Sequence, residues 1–169
     1  MRTRVAESWV EVPLQRFVDE ARVLFALLMQ PSGQVLGQYG FTRAVDVMAA
    51  SALGAAIHAS GAQLGRELDG RPFRELHHAG REREIFLAET NAAGAPFVFL
   101  AVFDGESSLG LVRLYFREFC ARLAASAPAA RPETPALAAS FERDLDRNLA
   151  ILFGRARPRD GHTDTHTSA

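Results

Sequence analysis

Apolar positions along the chain switch between two periods. Val10, Leu14, Phe17 and Val18 recur at helical spacing and predict a first helix over about residues 11–22. "VLFALLM" (23–29) is a short continuous apolar run and predicts a buried strand. Pro31, Ser32 and Gly33 supply turn chemistry, and "QVLGQYG" (34–40) is the returning strand of a hairpin. An Ala-rich stretch without proline follows at 42–68 and predicts the longest helix, with Thr42 as its N-cap. Its apolar positions form two neighbouring stripes. One is Val45, Met48, Ala49, Ala52, Ala56 and Ala59; the other is Leu53, Ile57, Ser60, Gly61 and Leu64. Gly54 and Gly61 inside this helix each cost roughly 1 kcal/mol against alanine, so a packing reason for them is expected.

Three more strands are predicted at 71–80, 84–89 and 96–103, with "TNAAGA" as the turn between the last two. "PFVFLAVF" is apolar at every position, so both its faces must be covered. The stretch 73–79 carries Arg74, Glu75, His77 and His78, the composition of an edge strand. Leu109, Val112, Tyr115, Phe116, Phe119 and Leu123 then fall on one helical face. Before them, "DGESS" gathers Asp104, Glu106, Ser107 and Ser108 and could pass for a catalytic loop. The helix behind it gives a simpler reading. A serine caps the helix, and the acids sit near the positive end of its dipole.

The pattern predicts a domain over 10–125 and a Pro-rich linker over 126–135. An amphipathic helix follows over 136–154, with Leu137, Phe141, Leu145, Leu149 and Leu152 nearly every four residues, then a polar tail over 155–169 with the composition of a disordered segment. The order α-β-β-α-β-β-β-α fits an α/β sandwich: a five-stranded antiparallel sheet between one long helix and a helical pair, with the C-terminal helix tethered to it.

Composition narrows the function. A net charge of −1 gives no electrostatic argument for nucleic acid. All 19 basic residues are arginine. With no lysine, the Gly-rich phosphate loop that ends in Gly-Lys cannot be built, and no nucleotide or other cofactor is expected. The single cysteine, Cys120, permits no internal disulfide, and a reducing, cytoplasmic setting is expected. No signal peptide and no membrane-spanning helix are expected.

His77 and His78, adjacent on a strand, point to opposite faces and cannot share one metal ion. "HTDTH" (162–166) spaces two histidines and an aspartate in the tail and is no better a site, so no metal is expected. Cys120, on the apolar side of its helix, reads as a small core residue. Nothing marks an enzyme. Arg113 and Arg117, at i and i+4, repel weakly unless acids of the chain or an acidic partner relieve them. Arg113 is therefore a candidate electrostatic contact.

The element order, "QPSGQVLG", "MAASALGAAIHASGAQLG", "LHHAG" and above all "FLAVFDGESSLGLVRL" resemble the roadblock (dynein light chain) family over about residues 10–125. "SLGLVRL" after "FD" is most similar to its MglB-like branch, and "FERDLDRNLAILFG" is similar to the helix that ends chains of that branch. The resemblance implies a homodimer whose sheets join through the strand at 73–79 and whose long helices, 43–66, pair across the two-fold. It implies an MglA-type Ras-like small GTPase as partner, activated without an arginine finger by reshaping of the GTPase's own site, in cell polarity or motility, with a cell pole as one location. Positions matching the GTPase-facing helix are Ile57, Ser60, Gly61 and Leu64. The terminal helix, through Phe141, Leu145, Leu149 and Leu152, would be a further contact. The alternative is a roadblock-type dimeric adaptor that binds a GTPase or scaffold and changes no rate.

Overall fold

The computed structural model describes residues 4–5, 7–40 and 46–129. The chain divides into two units, 1–130 and 131–169. The expected linker beyond 129, the terminal helix with Phe141, Leu145, Leu149 and Leu152, and the polar tail lie outside the described residues.

In the first unit the elements run β1 (Arg4–Val5), α1 (Ser8–Ala21), β2 (Phe25–Met29), β3 (Val35–Gly40), α2 (Val47–Asp69), β4 (Glu75–Ala79), β5 (Glu84–Ala92), β6 (Ala95–Phe103) and α3 (Leu109–Ser126). All pairings are antiparallel, in the order β1-β3-β2-β6-β5-β4. The five expected strands are present. A two-residue strand, too short to leave a pattern in the sequence, extends the sheet beyond β3.

β6 lies at the centre, and its unbroken apolarity is explained by burial on both faces. Phe97, Phe99, Ala101 and Phe103 join the core under α1 and α3. Val98, Leu100 and Val102 join the core on the α2 side. On the first face aromatic rings interlock edge to face, with Phe17 4.8 Å from Phe99 and Phe86 5.2 Å from Phe116. α1 and α3 are tied by Arg122, whose guanidinium reaches Glu20 at 2.5 Å and Glu118 at 2.8 Å.

β2 and β4 are shorter than the strands expected at 23–29 and 71–80, and three further boundaries differ for physical reasons. α1 begins at Ser8 and continues through Pro13, because the added turn buries Val10 and packs Trp9 edge-on to Phe97. That burial opposes the hydrogen bond lost at an interior proline. α2 begins at Val47. Its cap is Asp46, whose carboxylate accepts from the amides of Met48 at 3.0 Å and Ala49 at 3.2 Å; Thr42 lies outside the described residues. The β5–β6 turn is two residues, not six. Ala93 and Gly94 both have positive φ, 51° and 77°, the tight hairpin geometry that matches strand twist.

By length and composition alone α2 only just reaches what a membrane crossing needs, with a mean hydropathy of 1.2 over its most apolar 18 residues. The buried positions of α2 are small residues, and its large apolar side chains lie on the outer face.

Candidate functional site

α2 meets the sheet through small residues: Ser51, Gly54, Ala55, Gly61, Ala62 and Gly65 are its buried positions. Two of the glycines mark close approach, to a side chain at one and to backbone at the other. A Cβ on Gly61 would stand 2.5 Å from Cδ1 of Leu76, in β4. One on Gly65 would overlap the Phe73 amide nitrogen and stand 2.7 Å from the Arg71 carbonyl oxygen. So the helix lies almost on the backbone that leads into β4, and Leu76 fills the notch at Gly61. Beside this contact, His58 Nε2 stands 3.6 Å from a carboxylate oxygen of Glu89 in β5.

The large apolar side chains of α2 point the other way. Leu53 is 63% exposed, Leu64 53% and Leu68 68%, with Met48 and Ile57 also on the surface. Leu53, Ala56, Ile57, Ser60, Leu64 and Leu76 line an open groove of about 350 Å³, with Gly61 at its floor. The lining has one hydroxyl and no titratable group. It can bind an apolar surface but has nothing with which to move a proton. Contiguous exposed apolar area of this kind marks a contact site.

Ile57, Ser60, Gly61 and Leu64 are thus together, as their spacing implied. Gly61 is buried, however, and the backbone-close approach it permits is made by the chain's own Leu76. Leu76 is the residue that the sequence reading missed. Its signal was there, as the one large apolar side chain within the mixed strand "ELHHA".

Arg113 is not part of this groove. It lies on α3, across the sheet, where its guanidinium pairs with Glu75 at 2.5 Å. His77 and His78 do alternate between faces. His77 stands with its Nε2 2.6 Å from Glu84 and its ring stacked on Phe103. No group of three or more metal-ligating side chains occurs among the described residues.

The "DGESS" loop is structural. Ser108 Oγ accepts from the Leu111 amide at 3.3 Å, and Asp104 accepts from the Glu106 amide at 3.1 Å. Ser107 donates its hydroxyl hydrogen to the Ala21 carbonyl at 2.6 Å, closing the end of α1. Cys120 is only half-buried, packed at the margin of the α1/α3 core rather than within it. The Thr90 hydroxyl donates to its sulfur at 3.2 Å, and burial pushes the thiol above its usual range.

No protein-family model matches the sequence, and no curated protein does. Solved structures do match. Myxococcus xanthus MglB is 23% identical, with 69% of this chain and 86% of that one aligned and a TM-score of 0.63. The gliding protein MglB from Thermus thermophilus is 24% identical over 73% of this chain and 92% of that one, with a TM-score of 0.62. A roadblock/LC7 domain from Streptomyces avermitilis is 15% identical over 64% of this chain and 89% of that one, with a TM-score of 0.56. In architecture, the chain has the roadblock fold in the form found in MglB.

Proposed function

We propose that the protein is an MglB-type regulator. In this reading it is a cytoplasmic homodimer that binds an MglA-type Ras-like small GTPase and stimulates GTP hydrolysis without supplying a catalytic residue. The observation that carries the reading is the apolar groove along the outer face of α2, on a fold like that of MglB. A surface with no titratable side chain suits a partner whose own residues do the chemistry. The Thermus protein is named a gliding protein, which supports a role in motility or polarity. The GTPase contact is assigned to Ile57, Ser60 and Leu64, with Gly61 holding the groove floor. Arg113, half committed to Glu75 on the far face, enters only as an aid to encounter. Arg113→Ala should slow association and lessen its salt dependence without abolishing the complex.

The test is phosphate release by the neighbouring MglA-type GTPase, with and without this protein, alongside a binding measurement. Acceleration that Leu64→Glu abolishes supports the reading. Binding without acceleration makes the protein a non-activating adaptor. No binding removes the reading altogether.

A further inference from the structure

Three glycines on the sheet-facing side of α2 each leave a notch, and the three notches are filled in different ways. At Gly54 an added Cβ would meet Met29, Leu100 and Leu87 at 2.9, 3.0 and 3.6 Å, side chains from three strands and all buried. At Gly65 it would meet the backbone that leads into β4. Neither filling can leave without moving a close-packed core or the chain itself. At Gly61 the three nearest atoms are Cδ1, Cγ and Cδ2 of Leu76, at 2.5, 3.6 and 4.0 Å. A single half-buried side chain fills that notch, and the same side chain lines the groove. Its cross-strand neighbour Leu87 stands on one side, and on the other β4 is the last strand of the sheet among the described residues.

Resting on the reading that this groove receives the GTPase, we propose that the notch at Gly61 is a closed subsite of the groove and that Leu76 is its plug. On binding, Leu76 turns to another staggered rotamer, toward the margin of the sheet, and one apolar side chain of the GTPase takes its place. The plug indicates what replaces it. The notch already holds the end of a leucine, so a leucine, isoleucine or methionine of the partner fits. A charged side chain would be buried without a partner, because the lining offers no titratable group. Ile57 and Leu64, at i−4 and i+3 from Gly61, flank the mouth of the notch and continue the groove on both sides. With the plug in place the groove is a wall of leucines with no hole. Binding energy concentrates where a side chain of the partner fills a pocket, and Gly61 is where this lining can make one.

The test is the affinity of four proteins for the neighbouring MglA-type GTPase loaded with GTP, each checked for folding by circular dichroism. Leu76→Ala removes the plug and should tighten binding about 2- to 10-fold, the factor by which a minor rotamer of the parent protein weakens its apparent affinity. Gly61→Ala fills the notch from the helix and should weaken binding about tenfold. The double variant Gly61→Ala/Leu76→Ala separates a subsite from a wall pushed into the groove. It should remain about tenfold weaker than Leu76→Ala, because the methyl still occupies the notch. A double variant that binds as well as Leu76→Ala overturns the subsite, and a folded Leu76→Ala protein that binds no tighter than the parent overturns the plug. Methyl NMR of the unaltered protein decides the matter independently of any variant's folding. The δ-methyl carbon shifts of Leu76 should change to those of another rotamer when the GTPase is added, and shifts that do not change overturn the plug. A parent protein that binds no GTPase removes the reading of the groove, and this inference with it, whereas the other failures leave that reading standing.

Discussion

Two glycines one turn apart on α2 should answer the same substitution in different ways. Gly→Ala inside a helix ordinarily gains about 1 kcal/mol. At Gly61 the new methyl meets Cδ1 of Leu76 at 2.5 Å, the free end of a flexible side chain. Leu76 can rotate away at a cost of about 0.5–1.5 kcal/mol, so Gly61→Ala should lie within about 1 kcal/mol of the parent protein. At Gly65 the methyl meets backbone, the Phe73 nitrogen and, at 2.7 Å, the Arg71 carbonyl. Neither atom can move without shifting the entry to β4 or lifting the helix. Overpacking of that kind costs about 1–3 kcal/mol, and the backbone contact puts this case at the upper end. After the helix gain, Gly65→Ala should lose about 1–2 kcal/mol, with each kcal/mol worth roughly 3–6 °C in Tm for a domain of this size. Urea denaturation followed by circular dichroism, at one fixed protein concentration because association shifts the midpoint, reads the difference. A Gly65→Ala protein as stable as Gly61→Ala would mean that α2 does not sit on the backbone before β4. The floor of the groove would then be wrong.

Other outcomes follow from contacts on the remaining elements. Ser108→Ala removes the α3 cap and should cost about 1 kcal/mol by urea denaturation. Ser107→Ala should cost at least as much, because it strands the Ala21 carbonyl, and neither serine should affect GTPase binding. Ala93→Asn places a residue tolerant of positive φ before Gly94, and should stabilise the β5–β6 hairpin by about 0.5–1 kcal/mol in Tm analysis. Cys120, its thiol pushed up by burial, should alkylate more slowly than a free thiol at pH 8, because the thiolate is the nucleophile. The sign for stability is a loss with rising pH: above about pH 8.5 the unfolded chain gives up its thiol proton before the folded one does. Alkylation at the rate of a free thiol would place Cys120 outside the core margin.

Local period and turn chemistry carried most of this fold. β6 announced burial on both faces through an unbroken apolar run, and α3 announced its cap through two serines ahead of a helical stripe. The failures are of another kind. The spacing of Ile57, Ser60, Gly61 and Leu64 shows that they lie near one another, but not which of them touches the sheet. A packing reason was expected at Gly61, but a glycine says only that something comes close, not from which side. Arg113 joined the site by helical spacing within α3. That spacing set Arg113 beside Arg117 without showing that Glu75 of β4 would pair with it, although the element order already put α3 on the face opposite α2. Leu76 was passed over because its neighbours are charged, though the strand's alternation puts it on the α2 face.

α2 inverts the usual logic of a surface helix. An ordinary one buries its large apolar side chains and shows small or polar ones. Here glycine and alanine face the sheet, while Leu53, Ile57, Leu64 and Leu68 face outward. Fully burying one such side chain is worth about 1.5–3 kcal/mol, so leaving four of them partly exposed forgoes several kcal/mol, a large share of a typical domain's stability. The small inner face is what brings the helix down onto Leu76 and the backbone before β4. The large outer face then lies beside a strand that is at the sheet's edge among the described residues, and Leu76 belongs to both features. A partner that used only the edge would leave the leucines bare. One that used only the helix would leave the hydrogen bonds of β4 to water. On the reading proposed above, a second copy would satisfy the edge, and the leucine surface that remains would be the one offered to the GTPase.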